Sequence, residues 1–171
     1  MQTGSIQRED IDVDNYTVTF TVDQTPEQVF EAVTNPRAWW SEDIEGATDQ
    51  VGSIFYYHYQ DIHRATFKVT ELVPGERVVW HNLQNYFNFV ADSTEWTGTD
   101  VVIELAETDG GTELTFTHVG LNPAEECYDV CFDSWGFYVK TSLSKLITEG
   151  TGEPNHKEKN ANPTVVPAAK R

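Results

Sequence analysis

This 171-residue chain has one methionine, two cysteines, and 11 basic residues against 28 acidic ones. Each shortage excludes something. No apolar run approaches the ~18 residues that a membrane-spanning helix needs, so no insertion into a membrane is expected. The start, Met1-Gln2-Thr3-Gly4-Ser5, lacks the basic and apolar regions of a signal peptide, and a cytoplasmic location is the expectation. Cys127 and Cys131 stand four apart in a stretch with helical patterning. Helical Cβ atoms at that spacing are ~5–6 Å apart, too far for an easy bridge, so free buried thiols in a reducing compartment are expected. The scarcity of basic residues leaves a net charge of −17. Lys157, Lys159, Lys170 and Arg171 lie near the end, so residues 1–155 hold only 7 basic residues against 27 acidic. Such a surface repels phosphate backbones and anionic membranes, which excludes nucleic-acid binding. It serves solubility in a salty cytoplasm, or forms an acidic patch for a basic partner.

Catalytic signatures are missing as well. The chain has no P-loop, no GxGxxG, no GxSxG and no HExxH. Cysteines at i and i+4 without a nearby histidine on the same helix match no common zinc pattern. No catalytic residue, metal or cofactor is assigned.

Hydrophobic residues make up 39% of the sequence and aromatics 12%, enough for the core of one domain. Residues 1–14 are polar and acidic and read as a flexible segment. Tyr16 to Val22 alternates with period two and reads as a strand. Thr25-Pro26-Glu27-Gln28 is a capping box with proline at the first helical position. Val29, Phe30 and Val33 give that helix its apolar stripe; Asn35-Pro36 ends it, and Trp39-Trp40 falls in a second short helical turn. Strands follow at Ser53–Tyr59, Ile62–Leu72, Arg77–Leu83, Thr99–Thr108 and Thr112–Val119, separated by turns such as Pro74-Gly75 and Asp109-Gly110-Gly111. That makes six strands in a mostly antiparallel sheet. One long amphipathic helix runs from near Pro123 to Gly150, and residues 153–171 read as a tail or strap. Strands first and one large helix last give an α+β layout, with the helix closing one face of the sheet and a hollow between them.

Alternation then assigns candidates to the hollow. Leu114, Phe116 and His118 share one face, and His63 sides with Ala65, Phe67 and Val69. His58 goes with Ile54 and Tyr56. The Arg77–Leu83 strand is ambiguous: either Val79, His81 and Leu83 face inward, or Val78 and Trp80 do. Each inward histidine is either a hydrogen-bonded core residue or a polar handle in an apolar cavity. The stretch Gln84–Gly98 carries Tyr86, Phe87, Phe89, Val90 and Trp96; it is a cluster covering the end of the sheet, a lid over the mouth, or a contact between two copies.

Several stretches resemble a known family: Thr25-Pro26-Glu27-Gln28-Val29-Phe30, Trp39-Trp40, Pro74-Gly75-Glu76-Arg77-Val78, Thr94-Glu95-Trp96-Thr97-Gly98-Thr99 and Phe116-Thr117-His118-Val119-Gly120-Leu121. Glu126-Cys127, Cys131, Trp135, Tyr138 and Ser142-Leu143 complete the match. From about Tyr16 to Pro154 the chain resembles the START-like (SRPBCC, Bet v-like) helix-grip superfamily and, within it, the activator of heat-shock protein 90 ATPase-like family. The resemblance implies a single START-like domain over residues 15–152, with the sheet wrapped around the last helix and a cavity between. It implies a small hydrophobic ligand such as a lipid, sterol or polyketide, since relatives hold such molecules there and some are cyclases. Phe67, Phe116 and Trp135 are the expected walls, with Trp80, Phe87 and Cys131 beside them. His118, Tyr56 and His58 are the expected polar contacts, and Tyr86, Phe87 and Phe89 the gate. Alternative readings are a cyclase or hydrolase with an inward histidine as general base, and a co-chaperone-like interaction module; a homodimer is compatible with all three.

Overall fold

The computed structural model describes residues 15–156; the expected flexible segment before residue 15 and the tail beyond residue 156 lie outside the described residues. Tyr16, Val18, Phe20 and Val22 point inward from strand β1 (Asn15–Val22) while its threonines point out. Helix α1 (Pro26–Val33) begins at the expected capping box: the Gln28 amide donates to Thr25 Oγ1 (3.2 Å) and the Thr25 amide to Gln28 Oε1 (2.9 Å). Val29 and Val33 are buried against the sheet. A 3-10 turn at Pro36–Ala38 then delivers Trp39 and Trp40 into the core.

The sheet has seven strands rather than six. The additional strand is β2 (Ile44–Glu45), too short to show a period in the sequence. Arg37 holds its neighbourhood: Nε donates to the Ile44 carbonyl (2.8 Å) and Nη2 to the Gly46 carbonyl (2.6 Å). Gly46 has φ +108°, and a Cβ there would lie 2.4 Å from the Ile54 carbonyl oxygen, so only glycine fits. Strands β3 (Ile54–Tyr59), β4 (His63–Val73), β5 (Arg77–Phe87), β6 (Asp100–Thr108) and β7 (Gly111–Val119) complete the sheet. The order is β1-β7-β6-β5-β4-β3-β2, and every neighbouring pair is antiparallel.

Strand β5 runs four residues beyond its expected end at Leu83. A register shift opposite Thr66/Phe67 puts Leu83 and Gln84 both at the surface, after which Asn85 and Phe87 turn inward. The bulge breaks the alternation, so the second half of the strand reads as loop. Before the bulge the ambiguous face is settled by burial: Val78, Trp80 and Asn82 point inward, and His81 points outward to Asp100 (2.7 Å).

The last helix starts five residues later than expected, at Tyr128. Asn122 Oδ1 accepts the Ala124 amide (2.9 Å) and makes residues 122–127 a turn. Its course is continuous but not uniform: α2 (Tyr128–Trp135), a π-helical stretch (Gly136–Leu143), then α3 (Ser144–Glu149), ending at Gly150 with φ +87°. Within the π stretch Tyr138, Val139, Ser142 and Leu143 are buried. Ser142 Oγ donates to the Trp39 carbonyl (2.7 Å) and accepts the Glu153 amide (2.6 Å). The segment after the helix is docked at Asn155, whose backbone N–H donates to the Trp40 carbonyl (3.0 Å) and whose Oδ1 accepts from Ser41 Oγ (2.7 Å). Among the described residues no helix is long and apolar enough to cross a membrane.

Removing the Thr25 cap should cost about 1 kcal/mol. Thr25→Ala is expected to lower the thermal midpoint by roughly 2–4 °C in differential scanning calorimetry, with the fold unchanged by circular dichroism.

Candidate functional site

Between the helix and the inner face of the sheet lies a cavity of about 370 Å³. The helix contributes Val130, Cys131, Ser134, Trp135 and Tyr138, which recur at helical steps and so share one face. The sheet side supplies Tyr57, Ile62 and His63, and Trp40 closes the bottom. The segment after β5 joins Phe87 in supplying Asn88, Phe89 and Trp96 as a cover. Among the described residues no acid, lysine or arginine lines the space. Its rings are packed against one another: Trp40 stacks on Tyr57 (centroids 4.3 Å, interplanar angle 15°) and Trp96 on Trp135 (5.6 Å, 9°).

A buried hydrogen-bond chain fixes the inner wall. Trp135 Nε1 donates to His118 Nδ1 (3.0 Å), so Nδ1 is the unprotonated nitrogen. His118 Nε2 then donates to Thr99 Oγ1 (2.8 Å), which donates to the Trp96 carbonyl (2.6 Å). His118 is fully buried, and loss of hydration pushes its pKa down from 6.5 to about 3. A neutral imidazole with both nitrogens occupied is a strut, not a proton carrier. His63 is the imidazole that lines the cavity, enclosed by Tyr57, Phe87 and Trp96, with Nε2 2.8 Å from Asn85 Oδ1.

The cover is pinned to the start of the helix by carboxylates. Glu95 accepts the backbone amides of Glu126 (2.6 Å) and Cys127 (2.9 Å), while Glu126 Oε1 accepts the Asp92 amide (2.9 Å). Anionic acceptors at a helix start satisfy its free N–H groups and its dipole. Burial, together with Glu95 and Asp92, raises the Glu125 pKa. Cys131 Sγ donates to Cys127 Sγ (2.9 Å), and both thiols are free and buried. That bond and burial raise the Cys127 pKa, which keeps the thiol protonated and unreactive.

The family model for "Activator of Hsp90 ATPase homolog 1-like protein" matches residues 23–148. The chain belongs to this family. Among solved structures it is similar to the Aha1 dimer of Colwellia psychrerythraea, at 26% identity and TM-score 0.65, covering 81% of this chain and 98% of that one. It is similar in fold to the DynU16 protein of the dynemicin biosynthetic locus, at 19% identity and TM-score 0.63, covering 84% of this chain and 51% of that one. The MLL2253 protein of Mesorhizobium loti shares the fold at 16% identity and TM-score 0.63, covering 81% of this chain and 99% of that one. No curated protein matches the chain.

Within this Hsp90-activator-like fold the sequence-derived candidates divide three ways. Phe87, Cys131 and Trp135 line the cavity. Phe67, Trp80, Phe116 and His118 face inward but sit behind the lining: Phe67 lies 5.9 Å from Trp40, Trp80 6.0 Å from Trp40, and Phe116 4.7 Å from Trp135. Tyr56 and His58 are corrections. Both lie on the outer face, Tyr56 with 54% of its surface exposed and His58 with Nδ1 3.0 Å from Asp43 Oδ2. Strand β3 is aromatic on both sides, so its alternation carries no contrast; Phe55, Tyr57 and Tyr59 are its inward set. Of the expected gate, Phe89 and Phe87 cover the mouth, while the Tyr86 ring lies outside under the Arg64 guanidinium (4.2 Å). Sequence reasoning missed Trp40, Tyr57, Ile62, Asn88, Val130, Ser134 and Tyr138 as lining, and placed His63 inward without choosing it. The signal that finds the helix set is the four-residue step from Val130 through Ser134 to Tyr138, which runs beside the parallel step from Cys131 to Trp135.

Above pH 6.5 His118 is neutral in folded and unfolded chains alike. As the pH falls from 6.5 toward 3, the unfolded chain takes up a proton that the folded one refuses, so stability drops. The urea midpoint of the wild type should therefore fall more between pH 7.5 and 4.5 than that of His118→Gln. Separately, Glu95→Ala should speed hydrogen exchange at the Glu126 and Cys127 amides and lower stability by about 1–3 kcal/mol.

Proposed function

We propose that this protein binds a small, uncharged, mainly apolar molecule in the cavity between the sheet and the last helix. One observation carries the reading: a hollow of about 370 Å³ persists in an otherwise close-packed aromatic core, and no ionised side chain among the described residues lines it. Protein interiors are normally filled to crystal-like density, so a hollow of ligand size is retained at a cost in stability. Its rim is apolar and partly open, with Phe89 39% and Val130 37% exposed. Removing apolar surface from water supplies the affinity, at ~25 cal/mol per Å². Phe87, Cys131 and Trp135 are the contacts retained from the sequence reading, with His63, Ser134 and Tyr138 as polar handles.

The cyclase or hydrolase alternative is less well supported, because it relies on an inward histidine as base. His118 is sealed and neutral, and His63 Nε2 meets the side-chain amide of Asn85. A co-chaperone-like module would require no hollow. The Colwellia psychrerythraea neighbour is a dimer, and pairing of two copies is compatible with ligand binding here. A reducing, cytoplasmic setting fits the two free thiols.

Native mass spectrometry of the freshly purified protein is the test. A co-purified small molecule is expected in the wild type and should be largely lost from Phe89→Ala and Ser134→Trp, the second of which fills the cavity. An apo mass in the wild type, together with no binding of added apolar probes, would overturn the reading.

A further inference from the structure

The two edges of the sheet are finished differently. At one edge β2 has only two residues, and its surroundings are occupied. Arg37 takes the Ile44 and Gly46 carbonyls, and Asn155 forms a parallel bridge to Ser41 just before the strand. At the other edge β1 is eight residues long and pairs with β7 on one side only. Among the described residues, residues 16–22 make no backbone–backbone hydrogen bond outside that ladder. About half the N–H and C=O groups of an edge strand point away from its single partner, so β1 presents a row of them.

Edge strands are normally protected by charge, proline, a bulge or shortness. Strand β1 has none of these. Its sequence, Asn15-Tyr16-Thr17-Val18-Thr19-Phe20-Thr21-Val22, contains no ionised side chain and no proline, and its register with β7 is unbroken. In a chain of net charge −17, an uncharged stretch of this length at an open edge stands apart from the rest of the surface. Its apolar side is also incompletely covered. Val18 and Phe20 point inward yet are only partly buried, whereas Tyr16 and Val22 are buried. Beside the strand, Phe132 is 49% exposed and packs edge-on against Tyr16 (centroids 5.5 Å, 82°).

A second copy of the same strand meets these features. Two β1 strands related by a two-fold axis run antiparallel. The register that overlaps all of residues 16–22 sets Thr19 opposite itself, Thr17 opposite Thr21, Val18 opposite Phe20 and Tyr16 opposite Val22. Threonine then meets threonine on the outer face, and apolar meets apolar on the inner one. That pairing continues a ladder already present, in which Thr17 Oγ1 lies 3.4 Å from Thr117 Oγ1 and Thr19 Oγ1 3.3 Å from Thr115 Oγ1. Charge points the same way. Two copies of net charge −17 repel, so they can meet closely only where charge is absent. In this register Asp23 falls opposite Asn15 and not opposite another acid. A basic partner, by contrast, finds no carboxylate on β1 to pair with.

We propose that two copies of this chain join through β1, giving one continuous sheet with seven strands from each. One strand pair with its flanking ring is a small contact, so the dimer forms in a concentration-dependent way, with a Kd on the order of 10 μM.

Sedimentation equilibrium of the full chain tests this, in about 0.5 M NaCl to screen the repulsion between acidic copies. The wild type is expected to pass from 19.4 kDa to twice that mass as its concentration rises through the micromolar range. Thr19→Lys and Thr19→Glu change an exposed side chain on the outer face, and each sets like charges opposite one another across the two-fold axis. Each should raise the Kd at least about tenfold. An equimolar mixture of the two variants should recover the dimer, which separates lost pairing from lost folding. In the wild type, hydrogen exchange at the amides of residues 16–22 should slow as the protein concentration rises. A wild type that stays monomeric would overturn the proposal, including the case in which those amides are protected at every concentration because residues 1–14 occupy the edge. A dimer that both variants leave intact, or a mixture that fails to recover it, would overturn pairing through β1.

Discussion

The hydrogen-bond chain from Trp135 through His118 to Thr99 and Trp96 joins the last helix, strand β7 and the cover of the cavity. It works only with a neutral imidazole, because one nitrogen must accept and the other donate. Burial enforces that state. The same chain turns the Trp135 ring onto Trp96 and against Phe116. Around this strut the aromatic side chains can lean on one another and stop short of filling the space. The hollow is thus a product of rigidity: large flat rings held by fixed partners cannot collapse into the gap as flexible side chains would.

Much of this was legible in the sequence because local chemistry and long-range packing agreed. The capping box at Thr25–Gln28, the hairpin at Asp109-Gly110 and the helix stop at Gly150 each came from residues with narrow conformational preferences. The inward placement of His63 and His118 followed from strands whose two faces differ sharply in polarity. Where the faces do not differ, as in β3, the assignment reversed, and Tyr56 and His58 went to the wrong side. Where a bulge shifts the phase, as at Leu83–Gln84, the rest of the strand reads as loop. The distinction between a residue that lines a cavity and one directly behind it, such as Phe87 against Phe67, is a matter of depth. Periodicity specifies direction alone, so depth was beyond it.

The excess of acid is not only a solvent coat. Glu95 and Glu126 exchange backbone contacts between the cover and the helix start, and Glu71 and Glu104 share Arg77 across the outer face of the sheet. The first pair uses negative charge where a helix end favours it, which lets an acidic chain close its cavity without recruiting scarce lysine or arginine. Membership of the Hsp90-activator-like family describes the scaffold; the cover and the aromatic walls are what this chain adds to the reading of its own site.

The π-helical stretch between Trp135 and Ser144 changes how the closing helix meets its surroundings. A wider turn consumes more residues than an α turn, so the rows of side chains before and after it are out of phase. One continuous rod therefore presents its first half to the cavity and its final turns toward α1. Shortening the stretch by a single residue would bring the two halves back into phase. Either the indole wall or the anchorage of the final turns would then swing toward water, which makes the length of this segment as strict a requirement as its composition.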